Sequence, residues 1–331
     1  MAAIRYNEIG TTKEELLMPI NLKDVQDVYK DAGDNIIFAT MDLLRQDHSA
    51  DLAMIQDLAE HLPAFESSLN VRYPDAGLAV AFGLSRRAWD YLFPDAPRPA
   101  ELEEFQPVVG PKYTAPATPA DLFFHIRAKN SAVPFELMSQ VMDRIKTQVK
   151  VIDETHGFRY FEGRAIIGFV DGTENPSALD TPDYAVIGDE DPRFINGSYA
   201  FAQMYHHDMD AWNRLKTEQQ EAAIGRKKFN DVELEDEDKA ENAHNVVSQD
   251  NEGGVEHKIV RMNVPFSNPT EGLNGTYFIG YARHWTVTKR MLEGMFSKSD
   301  RLLDFSTPVS GELFFIPSLS VLGKIADGEE F

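Results

Sequence analysis

Along the chain, short apolar runs alternate with segments whose apolar residues recur at helical spacing. Ile36 to Met41 is a mostly apolar run of strand length. Leu52, Ile55, Ala59 and Leu62 then return every three or four residues, which puts them on one face of a helix. Gly77 to Phe82 predicts a second strand, and Ser85 is placed to cap a short helix through Phe93. Leu122 to Ile126 predicts a third strand. Leu137, Met138, Val141, Met142, Ile145 and Val149 then form one stripe, predicting a long helix whose methionines fill core gaps. The second half repeats the style. Ile259 to Val264, Tyr277 to Tyr281 and Leu313 to Ile316 predict strands, and Met291, Leu292, Met295 and Phe296 a helix stripe.

Two of these stretches echo one another. LFFHIRAKNSAVPFELMSQVM and TYFIGYARHWTVTKRMLEGMF both pass from an apolar strand, through a polar loop with Ala-Lys or Ala-Arg, into an amphipathic helix. The echo points to a duplicated unit; a solenoid would repeat more often and at shorter period. Short strands mixed with helices, without a regular parallel series, predict an α+β fold. The polar, turn-prone stretch Lys150 to Gly157 marks the expected boundary, giving units of residues 1–150 and 151–331. The acidic run Asp231 to Glu241 reads as a solvated loop.

Composition narrows the chemistry. The chain has 331 residues, enough for two such units, with 32 basic and 54 acidic residues and a net charge of −22. That field serves solubility and repels phosphates and anionic membranes, so neither nucleic acid nor membrane is an expected partner. Cationic or neutral small substrates are easier to accommodate. There is no cysteine, hence no disulfide framework and no thiolate chemistry. Met1 to Gly10 holds Arg5 and Glu8 and no apolar run, unlike a secretory signal. No stretch approaches the roughly 20 apolar residues of a membrane helix. A cytoplasmic location is the expectation.

The densest local signal is Gly168 to Pro176, GFVDGTENP. A strand-like approach from Ala165 to Val170 delivers Asp171 into an Asp-Gly turn, and Asn175-Pro176 stops regular structure. Alone, Asp-Gly is an ordinary turn. The nonapeptide as a whole resembles the signature of the dye-decolorizing peroxidases, in which the aspartate lies over the haem. ENAHNV, Glu241 to Val246, resembles the segment that supplies the family's proximal histidine. HKIVRMNVPF, His257 to Phe266, resembles the strand carrying its distal arginine. GTYFIGYAR, Gly275 to Arg283, and LLDFSTPVSGELFFIPS, Leu302 to Ser318, resemble its closing strands.

The resemblance implies a pair of ferredoxin-like units of the dimeric α+β barrel type, with one haem b per chain held mainly by the second. It makes His244 the iron ligand and Asp304 the partner of its other ring nitrogen. It also implies hydrogen peroxide and small-molecule reductants as partners, and a homo-oligomer, dimer or higher. Gly172, Thr173, Glu174 and Arg261 are the expected cofactor-binding residues beside these.

The residue types fit that chemistry. Haem iron in peroxidases commonly takes a neutral imidazole. Of the nine histidines, His244 stands out only by its resembling segment. His206 and His207 read as surface or loop residues before a helix around Trp212, and His48, His61 and His156 sit in polar or capping contexts. His125 reads as a core histidine, and His257 and His284 flank strands within possible reach of a haem propionate. Peroxide must move a proton from one oxygen to the other, which a carboxylate such as Asp171 can shuttle. A guanidinium such as Arg261 can stabilise charge growing on the departing oxygen. Asn263, two residues on, faces the same side of a strand and can orient peroxide. Trp212, Trp285, Tyr277 and Tyr281 are candidates to relay electrons from bulky substrates. Three other readings stay open on these residues: a protein that stores, traffics or strips iron from haem, a non-haem binding protein with a structural Asp-Gly turn, and a haem enzyme acting on chlorite.

Overall fold

In the first half, β1 (Asn35–Leu43) leads into α1 (His48–Arg72), β2 (Ala79–Ser85), β3 (Leu122–Ala128), α2 (Ala132–Ile145) and β4 (Val149–Phe158). In the second, β5 (Ser198–His207) is followed by a long helical excursion that includes α3 (His244–Val247). Then come β6 (Val260–Asn268), β7 (Leu273–Ala282), α4 (Trp285–Ser297), β8 (Glu312–Ile316) and α5 (Leu319–Asp327). The computed structural model describes residues 20–331, so the leader reading of Met1 to Gly10 lies outside the described residues. Local chemistry sets the helix starts: the Asp47 carboxylate accepts the Ser49 N–H at 2.9 Å to open α1, and Ser85 Oγ accepts the Ala88 N–H at 3.3 Å, as its position predicts.

The strands form one antiparallel sheet in the order β6-β7-β5-β8-β2-β3-β1-β4. Within each half the order is second, third, first, fourth. The fold is α+β, two ferredoxin-like units joined edge to edge, and the echoed strand-loop-helix segments are equivalent pieces of the two. The join is short: Phe314 pairs with Ser85 and Phe315 with Leu84. At the free edges β4 and β6 meet again, closely enough that a Cβ on Gly157 would lie 2.3 Å from Val264 Cγ1. The bare glycine backbone is what allows this approach, and the sheet curls into a barrel.

Strand alternation then yields two cores. Phe38, Phe123, Tyr277, Tyr281 and Phe314 face the barrel interior. There the Phe38 and Tyr277 rings, from different halves, stack at 3.9 Å between centroids and 4° between planes, which pins the curl. Ile37, Leu84, Phe124, Phe201 and Phe315 face outward and are covered by the helices.

Two expectations are corrected. Val149 does not continue the helix stripe but opens β4, because the helix ends at Ile145 and the chain turns through Gln148, whose N–H donates to Ile145 O at 2.9 Å. Lys150 to Gly157 is not a turn-prone connection but most of β4, paired along β1. Its polarity belongs to an edge strand with one wet face, where charge is a protection against pairing with other chains. The run Asp231 to Glu241 is largely exposed, as its charge predicts. Among the described residues no helix is long and apolar enough to cross a membrane.

Candidate active site

The outer faces of β5, β6 and β7 carry a cavity. Tyr205 and His207 from β5, Arg261 and Asn263 from β6, and Thr276 and Phe278 from β7 line it, while their alternate neighbours point into the barrel. Ile167, Phe169, Ile224, Met291, Met295 and Leu302 make much of the rest apolar. Of the residues expected at the site, Asp171, Gly172, Thr173, Glu174, His244, Arg261 and Asn263 all line this one cavity, and Asp304 does not.

The approach to Asp171 is not a strand. Ala165 to Val170 folds as a tight loop in which Ala165 N–H donates to Phe169 O at 2.8 Å, and Ile167 and Phe169 pack on Trp212. Gly172 follows at φ +80°, a conformation that side chains rarely adopt. Asn175 then grips β6 through one residue: its Nδ2 donates to Arg261 O and its Oδ1 accepts the Arg261 N–H, both at 2.9 Å. Asp171 is held the same way, accepting the Asn263 N–H on Oδ2 at 2.9 Å and Asn263 Nδ2–H on Oδ1 at 2.6 Å. The nonapeptide is therefore an irregular loop sewn to β6 by two side chains, which explains why an Asp and an Asn stand at these points in it.

Arg261 donates from Nη1 to Ser248 O at 3.2 Å. Burial holds its guanidinium below the usual range, with Glu174 and Asp171 working the other way. A guanidinium starts so far above neutrality that it stays charged. Glu174 accepts from Arg226 Nη1 at 2.6 Å, and Arg226 reaches Asp231 at 3.0 Å. The loop is thereby tied to the start of the acidic run.

His244 stands at the start of α3. Its Nδ1 lies 2.7 Å from Asp300 Oδ2. A carboxylate only accepts, so the ring carries its proton on Nδ1 and leaves Nε2 free for another partner. This corrects the expectation for Asp304. That side chain lies at the surface, on Lys112 Nζ at 2.5 Å and on the Tyr113 hydroxyl, whereas Asp300 is fully buried and also accepts the Leu302 N–H at 2.8 Å. The two aspartates flank one short turn, and only the first points inward.

The other histidines fall elsewhere. His207 was expected at the surface but closes β5 inside the cavity wall, between Ser306 Oγ at 2.7 Å and Thr276 Oγ1 at 2.8 Å, and burial pushes it down to about 4. His125 is a core residue, sharing a 2.7 Å hydrogen bond with the Tyr281 hydroxyl and held well below the usual range by burial. His257 pairs with Asp250 and His284 with Glu101, and neither lines the cavity. Trp212, Trp285, Tyr277 and Tyr281 are each at most 2 % exposed, so none of them presents a surface end for a relay.

The donor set suits a macrocycle. Among the described residues no three His, Asp or Glu side chains converge as a metal site. A single imidazole, oriented by a buried carboxylate and facing an apolar cavity, fits an iron whose equatorial ligands come with the cofactor. Asp300, Arg226 and His207 escaped the sequence reading. The one available signal was for Asp300, whose place ahead of Arg301–Asp304 is that of a turn cap.

Known proteins resemble this chain in sequence and in fold. Residues 26–159 match the family described as Dyp-type peroxidase, N-terminal, and residues 162–321 match Dyp-type peroxidase, C-terminal. The chain is 45% identical over 278 residues to a dye-decolorizing peroxidase of Mycobacterium tuberculosis, covering 82% of each. Its fold matches the crystal structure of a dye-decolorizing peroxidase from Bacteroides thetaiotaomicron at a TM-score of 0.87 and 49% identity, covering 91% of this chain and 98% of that one. DyPB from Rhodococcus jostii matches at a TM-score of 0.87 and 41% identity, covering 90% and 97%, and variants of it are solved in complex with heme.

Proposed function

The chain belongs to the Dyp-type peroxidase family, and from that premise we propose how its residues divide the work of a haem peroxidase. The reaction reduces hydrogen peroxide while dyes, phenols or other organic donors are oxidised one electron at a time. The cofactor is haem b, one per chain. When bound, it would supply the iron that accepts an oxygen from peroxide and the two oxidising equivalents that two one-electron donors then discharge.

In this reading His244 would hold the iron through Nε2, and Asp300 would keep the imidazole in the tautomer that leaves Nε2 free and raise its basicity. Gly172, Thr173, Glu174 and Arg261, which line the cavity, would border the macrocycle. Asp171 takes the proton from one peroxide oxygen and returns it to the other. Arg261 presents a fixed positive charge to the departing oxygen. Asn263 aims the Asp171 carboxylate and offers its own amide to peroxide. What carries the proposal is one cavity with an Asp300-tethered His244 and an Asn263-tethered Asp171 beside Arg261. Its test is stopped-flow absorption of the haem-loaded protein mixed with peroxide. Rapid conversion of the haem band, reversed by an added reductant, is the expected result. A haem that barely responds would overturn it.

The division into units 1–150 and 151–331 is retained with its seam moved to follow Phe158, in keeping with the pairing of β4 along β1. A homo-oligomer is part of the proposal. Phe161, Leu179 and Phe229 are each at least 66 % exposed, and apolar side chains of this size gain from being covered. A cysteine-free chain needs no oxidising compartment, which supports a cytoplasmic location.

A further inference from the structure

The inner faces of the same strands carry a second cavity, of about 590 Å³, at one end of the barrel. It shares no lining residue with the first: Tyr277 faces it where Thr276 and Phe278 face the other, and Met204 where Tyr205 does. Phe266, Tyr277 and Phe314 give it an aromatic wall, and Asp153, Glu154 and Glu312 give it carboxylates, of which Glu154 is already paired with His156 at 2.7 Å.

Three of the polar side chains that line this cavity bear on its occupant. Glu312 is only 5 % exposed; its carboxylate accepts the Leu313 N–H at 3.0 Å and the Arg87 charge also favours its ionised form, but burial outweighs both. Asp153 accepts the Thr155 hydroxyl at 2.9 Å and has no cationic partner among the described residues. Tyr277 is 2 % exposed, and its ring forms part of the cavity wall. A buried charge without a partner is costly. Burial accordingly pushes Glu312 up to about 8 and raises Asp153 as well. A cation in the cavity would favour the charged form of both.

The shape decides which cation. Among the described residues no three His, Asp or Glu side chains converge here as a metal site, and the volume far exceeds what a bare ion fills. An aromatic wall facing carboxylates suits a body with an apolar ring and one positive end. We propose that this inner cavity binds a small organic cation, a protonated amine carried on an aromatic ring, with the ammonium at Glu312 and Asp153 and the ring against Tyr277, Phe266 and Phe314.

Isothermal titration of the haem-loaded protein with benzylamine, at about 0.15 M salt so that general attraction to the acidic surface is screened, tests this. One site per chain is expected, with no change in the haem absorption band. Glu312→Gln and Asp153→Asn should each weaken it by about tenfold or more, the worth of a hydrogen bond to a charged group. Benzyl alcohol, of the same shape without the charge, should bind far more weakly to the unmodified protein. Absence of binding overturns the proposal. So does binding that survives both substitutions, that benzyl alcohol matches, or that shifts the haem band and thus places the amine at the iron.

Discussion

His244 Nδ1 and Asp300 Oδ2 lie 2.7 Å apart, and the aspartate is fully buried. A partner of this kind orients a ligating imidazole and is typically worth about 10–100-fold in metal affinity. Asp300→Asn should therefore loosen haem by that factor and raise the iron reduction potential, since a less basic imidazole favours ferric iron less. Asp304→Asn should change neither, because its pair with Lys112 lies at the surface, where solvent screens it, and it does not touch His244. Haem transfer to an acceptor protein and spectroelectrochemistry measure both. Equal losses from the two variants would return Asp304 to the site.

Arg261 is a buried guanidinium in the cavity lining, and Asp171 is among the charges that favour its protonated form. Arg261→Leu should leave haem bound, because the residue is not a ligand, and should slow the reaction with peroxide by about 10²–10³, the usual cost of losing one charge-stabilising donor. Single-turnover rates on the haem-loaded variant read this. A rate within a few-fold of the original would remove Arg261 from the chemistry.

Asp171 and Asn263 act as a unit, through two hydrogen bonds of which only one uses the Asn263 side chain. Asn263→Ala leaves the backbone bond and should slow peroxide consumption by about tenfold. Asp171→Asn removes the proton carrier and should cost more, within the roughly 10²–10⁴ typical of general acid–base catalysis. The order of the two matters: an Asn263→Ala loss exceeding that of Asp171→Asn would make the amide, not the carboxylate, the principal group.

Periodicity made the strands and most helices legible, and the echoed segments revealed the duplication, because burying one face imposes a spacing that composition preserves. It failed where burial is one-sided or absent. β4 is an edge strand, so its sequence reads as a polar connection, and Ala165 to Val170 is apolar because it packs on Trp212, not because it is extended. The site was legible by motif for Asp171, Arg261, Asn263 and His244. Asp300 and Asp304 are four residues apart around a short turn, and which of them points inward depends on backbone direction that spacing does not encode. His207 reads as half of a polar pair because its partners Ser306 and Thr276 are brought to it only by the sheet.

Glu312 gives the stability of the protein a pH dependence of defined sign. Its folded value, about 8, lies above the ordinary carboxylate value of 4.5. Between these the folded state keeps a proton that the unfolded chain has lost. Its contribution to stability is therefore complete below the unfolded value and declines as pH rises toward 8, by about 1.4 kcal/mol per pH unit within the window. Glu312→Gln keeps the shape and cannot ionise. Denaturant titrations at pH 5 and pH 8 should show the unmodified protein losing stability relative to the variant as pH rises, with the variant the more stable at the upper end. The comparison between the two proteins cancels the opposite slope of buried histidines such as His207, whose depressed value makes stability fall toward acid. A difference that stays constant with pH would mean that Glu312 is already ionised in the folded protein, and that a cation or water meets it there.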